Sequence, residues 1–147
     1  MQAECAKARA VLNANIGACY VKLGDHQAAV ASCTEALADD PKYIKALQRR
    51  ASRNEVINTW ASLSSASEDY ATLLTLVPSH TPLYGEIERA QRRVKPRLEA
   101  AQKAEMDEMM GKLKGLGNSV LGYFGLSTDN FKFEQNPQGG YSVNFQQ

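Results

Sequence analysis

The sequence predicts an all-α fold: a solenoid of helix-turn-helix pairs (about two repeats), a capping helix, and a glycine-rich segment ending in a short β-hairpin. Three observations lead there. Residues 10–43 hold small and large side chains at fixed spacing: Asn13, Ile16, Gly17 and Tyr20, then Ala29 and Cys33, then Ala36 and Pro41. The eight residues that follow open a second unit in the same 34-residue register, and self-similarity at that period marks stacked helix pairs. Alanine dominates both helices of the first unit, as close antiparallel packing requires.

Taken in order, residues 1–9 are expected to be the remnant of a preceding repeat. The first complete repeat, 10–43, begins on a helix running over about 7–23. Gly24-Asp25 makes its turn, and Asp25 caps a second helix over about 26–38. Asp39-Asp40-Pro41 stops the pair. The second repeat, 44–80, has Leu47, Ala51 and Asn54 inward on its first helix, and Ala66, Tyr70 and Leu73 inward on its second. Pro41 and Pro78 lie 37 residues apart instead of 34. Three extra residues are therefore expected in the turn around Asn58-Thr59-Trp60-Ala61. The single tryptophan, Trp60, would plug that loop against the helix pair, or else meet a partner. Only two repeats are visible where about three bury a continuous core. A preceding helix pair is thus expected before Met1, and Ile16 and Tyr20 should have one flank open to water.

Thr81-Pro82 opens the next helix, with a cap followed by proline at the first helical position. This segment, 81–115, suits the capping helix a solenoid needs, with Pro96 kinking or restarting it. The last segment, 116–147, continues a stretch broken by Gly111, Gly115, Gly117, Gly122 and Gly125. Beyond it Phe131-x-Phe133 and Tyr141-x-Val143-x-Phe145 alternate as two short strands, with a proline- and glycine-bearing tight turn at 136–140. Those five side chains should form one apolar face, leaning on residues 121–124 or on a partner.

Composition narrows the function. With 147 residues, 44% apolar and 22% charged, the chain is ordinary globular protein, and a net charge of +1 leaves no bulk field to draw nucleic acid. No run of about 18 apolar residues is present. Secretion and membrane spanning are not expected, and the cytoplasm, or else the nucleus, is the natural location. Cys5, Cys19 and Cys33 include no C-x-x-C pair; Cys19 and Cys33 take small-residue packing positions and read as reduced core thiols. His26 and His80 fall in turns as surface residues, without a second ligand or base at useful spacing. Gly115 and Gly117 lack a dinucleotide fingerprint's spacing. The basic cluster from Arg89 to Arg97 reads as a charged helix face. No catalytic constellation, metal site or cofactor is implied, so an enzyme is not expected.

The candidate site is Asn15, Lys45 and Arg49. Asn15 and Arg49 are 34 residues apart, so they take the same position in successive first helices, spaced roughly 10 Å apart on the concave face. Lys45 lies one turn before Arg49 on the same face. An amide, an ammonium and a guanidinium fork in one groove suit a carboxylate-rich ligand. Lys42, Lys45, Arg49, Arg50 and Arg53 include no intervening acid from 42 to 53, which makes the groove locally positive. A solvated basic face is the alternative. Asn15 weighs against it, since asparagine is a poor helix former in an inward-facing place. Arg50 and Arg53 read as bystanders or salt-bridge partners.

The 34-residue pattern resembles the tetratricopeptide repeat, with Asn13 and Cys33 departing from its usual aromatics. The stretch GKLKGLGNSVLGYFGLSTDNF with a closing GGYSVNF, placed after such repeats, is similar to the tetratricopeptide repeat protein 1 family from about residue 8 to 145. That resemblance implies an interaction adaptor of co-chaperone type. Some tetratricopeptide domains hold the acidic C-terminal tail of cytosolic heat-shock chaperones in a two-carboxylate clamp. Asn15, Lys45 and Arg49 match three of its five positions; the other two would lie before Met1. A scaffold for unrelated protein partners is the alternative.

Overall fold

The computed structural model describes residues 1–135 and 141–145, and divides into two compact units, Met1–Gln102 and Lys103–Gln147. Five α-helices account for most of it: α1 (Gln2–Leu23), α2 (His26–Asp39), α3 (Ile44–Ile57), α4 (Trp60–Leu76) and α5 (Pro82–Gly122). Residues 2–9, expected as a remnant of another repeat, are continuous with α1. The architecture is an all-α, tetratricopeptide-like array in which neighbouring helices pack as pairs.

Local chemistry sets both hairpins. Gly24 closes α1 in the left-handed region (φ 77°), where a residue without Cβ is unstrained, and Asp25 accepts from the Ala28 amide at 3.0 Å to open α2. Thirty-four residues later Asn58 takes the same left-handed place (φ 60°) and Thr59 caps α4. Thr59 and Ser62 exchange side-chain and backbone bonds at 2.8 and 3.2 Å, a capping box with serine as its second member.

Both turns therefore hold two residues, which corrects the expected insertion around 58–61. Trp60 is the first residue of α4, 42% exposed, and not a plug in a longer loop. The three extra residues lengthen α4, which has 17 residues against 14 in α2. A helix absorbs three residues as most of one further turn.

The core of the first unit runs through all five helices. Ala14, Ala36, Leu47, Leu63, Leu73 and Val94 belong to one buried cluster. The expected inward positions on α3 and α4 (Leu47, Ala51, Asn54, Ala66, Tyr70 and Leu73) are all buried. Gly17 is fixed by proximity: a Cβ there would stand 3.0 Å from Cys33 Sγ and 3.3 Å from the Ala29 carbonyl. Cys33 is buried as expected, but Cys19, also expected in the core, is exposed. Ile16 is 39% exposed and Tyr20 half-buried, so that flank of α1 is open to water. His80 is exposed, whereas His26, expected at the surface, is half-buried.

Pro96 lies inside α5 and neither ends nor restarts it; the helix also runs through Gly111, Gly115 and Gly117 to Gly122. The glycines expected to break this stretch are tolerated as single helix-interior residues, each costing about 1 kcal/mol relative to alanine. In the second unit Asn118 Oδ1 accepts from the Thr128 amide and hydroxyl at 2.7 Å each and from Ser127 Oγ at 3.2 Å, and Lys114 pairs with Asp129 at 2.6 Å. These bonds hold the 3-10 turn Thr128–Asn130 against α5.

Two strands follow, β1 (Phe131–Gln135) and β2 (Tyr141–Phe145), antiparallel with Phe131 opposite Phe145 and Phe133 opposite Val143. The expected tight turn at 136–140 lies outside the described residues. So does the packing expected of the strand side chains from Phe133 onward.

Candidate functional site

The α3 sequence places Lys45, Arg49 and Arg53 at successive four-residue steps, so one face of that helix carries a ladder of three cations. All three line one groove of about 450 Å³. Gln48 and Ser52 add polar groups from α3, and Tyr70 comes from α4. Leu83, Ile87 and Ala90 of α5 supply an apolar wall that also carries Glu86, and Val21 of α1 lines the groove as well. Lys45 is exposed; Arg49 and Arg53 are half-buried. A long cationic side chain lying along an apolar wall keeps its charge at the mouth while its stem is covered.

Of the three expected site residues, the structure brings Lys45 and Arg49 together in this groove. Asn15 is exposed on α1 and is not among the residues that line this groove. Its neighbourhood is nevertheless joined to Arg49, whose Nη1 donates to the carbonyl of Ala14, the residue before Asn15. That bond uses one of five guanidinium donors and fixes the fork's position, leaving others for a ligand. Arg53, read from sequence as a bystander, is a groove residue; the 45, 49, 53 spacing was the signal for it. Glu86 was also missed, because it belongs to a helix that the repeat pattern does not cover.

Arg50, Arg93 and Arg97 have structural partners. Arg50 grips Asp69 with two bonds, 2.8 and 2.6 Å, and Asp69 is buried. The basic cluster expected to be a plain charged helix face instead contains a latch. Arg93 donates to both carboxylate oxygens of Glu55 at 2.8 and 3.0 Å, and Arg97 to one at 2.9 Å. Tyr70 donates its hydroxyl to the same buried carboxylate at 2.6 Å, and Arg97 also reaches the Glu55 carbonyl and Asn58 Oδ1, each at 2.6 Å.

Burial pushes the Glu55 carboxyl up, but the bonds from Arg93 and Tyr70 and the charges of both arginines outweigh it and hold it below its ordinary value. Burial and the bond to Glu55 push the Tyr70 phenol well above its own. This latch sets the α5 wall of the groove against α3 and α4. Burial likewise raises the Cys33 thiol against the opposing influence of Arg49 and Arg50, as suits a packed and unreactive cysteine.

Among the described residues no group of three or more His, Cys, Asp or Glu is placed to hold a metal ion, and no helix is long and apolar enough to cross a membrane. No family model matches the sequence. Over 77 residues, 52% of the chain, it is 36% identical to FK506-binding protein 59 of Drosophila melanogaster. Over 79 residues, 54% of the chain, it is 33% identical to FK506-binding protein-like of Homo sapiens. The chain spans less than a quarter of either relative, 17% and 22% of their lengths.

Proposed function

We propose that this chain is a protein-interaction adaptor, not an enzyme, whose α3–α5 groove binds an acidic peptide by its carboxylates. The observation that carries this reading is the convergence of Lys45, Arg49 and Arg53 on one groove with an apolar wall. A guanidinium fork and a nearby ammonium match two neighbouring carboxylates, and the wall accepts an adjoining apolar side chain. The similarity to two FK506-binding proteins and the 34-residue helix pairs support an adaptor. The tail motifs support a place in the tetratricopeptide repeat protein 1 family. On that reading the ligand is the acidic C-terminal peptide of a cytosolic heat-shock chaperone, the protein acts as a cytoplasmic co-chaperone, and Asn15 contributes from the rim.

The test is a pair of calorimetric titrations with a peptide ending in Glu-Glu-Val-Asp, once as the free acid and once amidated. The free acid should bind with modest affinity, because a flexible peptide must be ordered on the groove. Amidation should abolish binding. Arg49→Ala should weaken it by about 1.5–3 kcal/mol, roughly tenfold or more, and Lys45→Ala should weaken it as well. Equal affinity for both peptides, or binding by neither, would favour a scaffold for unrelated partners.

A further inference from the structure

In the second unit, α5 presents an apolar stripe that the described residues leave largely exposed. Met106, Met109, Leu113, Leu116 and Val120 follow one another at steps of three, four, three and four, an average period of 3.5. That narrow a/d seam belongs to a helix meeting another helix, not to the broader stripe of a helix lying on its own core. These five and the flanking Met110 are each 58–68% exposed. Together they offer on the order of 700 Å² of surface, close to the roughly 800 Å² each partner gives to a standard-size interface and above what monomers usually leave in one patch.

We propose that this seam is a self-association site, on which the same helix of a second copy docks antiparallel. Charge decides the occupant and its direction. Glu105, Asp107 and Glu108 lie in the first half of the seam and Lys112 and Lys114 at its middle, with Lys103 ahead of the acids. An antiparallel copy sets acids beside lysines; a parallel copy sets like beside like. The segment carries as many acids as lysines, so no net charge opposes pairing. The pairs Glu108–Lys112 and Lys114–Asp129, each 2.6 Å long and exposed, re-partner at little cost. A groove of about 750 Å³, lined by Leu113, Leu116, Val120 and Phe131, gives the docked helix a side wall. In the symmetric arrangement Met106 faces Leu116 of the copy, Met109 faces Leu113, and Met110 lies beside the two-fold axis.

Sedimentation equilibrium on the full chain should give a concentration-dependent dimer. Leu113→Asp combined with Leu116→Asp should raise its dissociation constant roughly tenfold or more. Because that variant also risks the helix, disulfide trapping reads the geometry with the seam almost intact, in a Cys5→Ser/Cys19→Ser background since both cysteines are exposed. Met110→Cys should link to itself. Met106→Cys should link to Leu116→Cys in a mixture but not to itself. A monomer at every concentration, a dimer indifferent to both aspartates, or self-linking at 106 and 110 alike, as a parallel pair would give, overturns the proposal.

Discussion

Leu63, Leu73 and Val94 in the first unit are fully buried, whereas Leu113, Leu116 and Val120 in the second are each more than half exposed. The residue types are the same; what differs is the element opposite. In the first unit α1 meets α2 and α3 meets α4 across two-residue turns, and alanines at Ala36, Ala46, Ala51 and Ala66 let the backbones approach closely. In the second, none of the described residues is buried, and the contacts that organise it are polar, centred on Asn118 and Lys114. An apolar periodicity thus marks which face of a helix wants covering. It does not say whether the same unit supplies the cover.

That contrast can be broken by mutation, and the core should respond most. Leu73→Ala removes a fully buried side chain and should cost about 2–5 kcal/mol in a chemical denaturation curve. A loss under 1 kcal/mol would mean the first unit is not packed as described. The latch comes next. Glu55→Gln keeps the shape but leaves Arg93 and Arg97 without their anionic partner, and should cost about 1–3 kcal/mol.

Because the folded Glu55 is held below its ordinary value, its contribution is present above about pH 4.3, the unfolded value, and is lost as pH falls through the folded one. Stability measured against pH should show a smaller acid loss in the Gln variant. Asp129→Asn, at the exposed pair with Lys114, should show a much smaller change of the same sign, because water screens that pair. Thr59→Ala, removing the α4 cap, should cost about 1 kcal/mol. Smallest of all, Leu116→Ala should stay within about 0.5 kcal/mol at concentrations where the chain is monomeric, since an exposed side chain buries nothing there.

The helix pairs were legible because their signals are local. Gly24, Asp25 and the inward positions on α3 and α4 are each dictated by neighbours within a turn or two. The extra turn of α4 was not, because spacing between prolines counts residues without saying which element holds them. Thr59 with Ser62 is a capping box lacking its usual glutamate or glutamine, which hid the true start of α4 at Trp60. The latch on Glu55 joins residues 38 and 42 positions apart, and no pattern along the chain relates them. In the candidate site Lys45 and Arg49 were readable as a helical pair, and Arg53 extends the same ladder. The α5 wall and Glu86 were not readable, since they come from beyond the repeat register.

An NMR titration of the free-acid peptide into isotopically labelled chain compares the two regions directly. Binding by carboxylates should perturb the amides and side chains around Lys45, Arg49, Ser52 and Arg53, saturate with peptide, and fade with added salt, while Met106 to Val120 stay unmoved. Perturbations gathered on the apolar seam of α5, insensitive to salt and to amidation, would contradict a carboxylate-binding groove on α3.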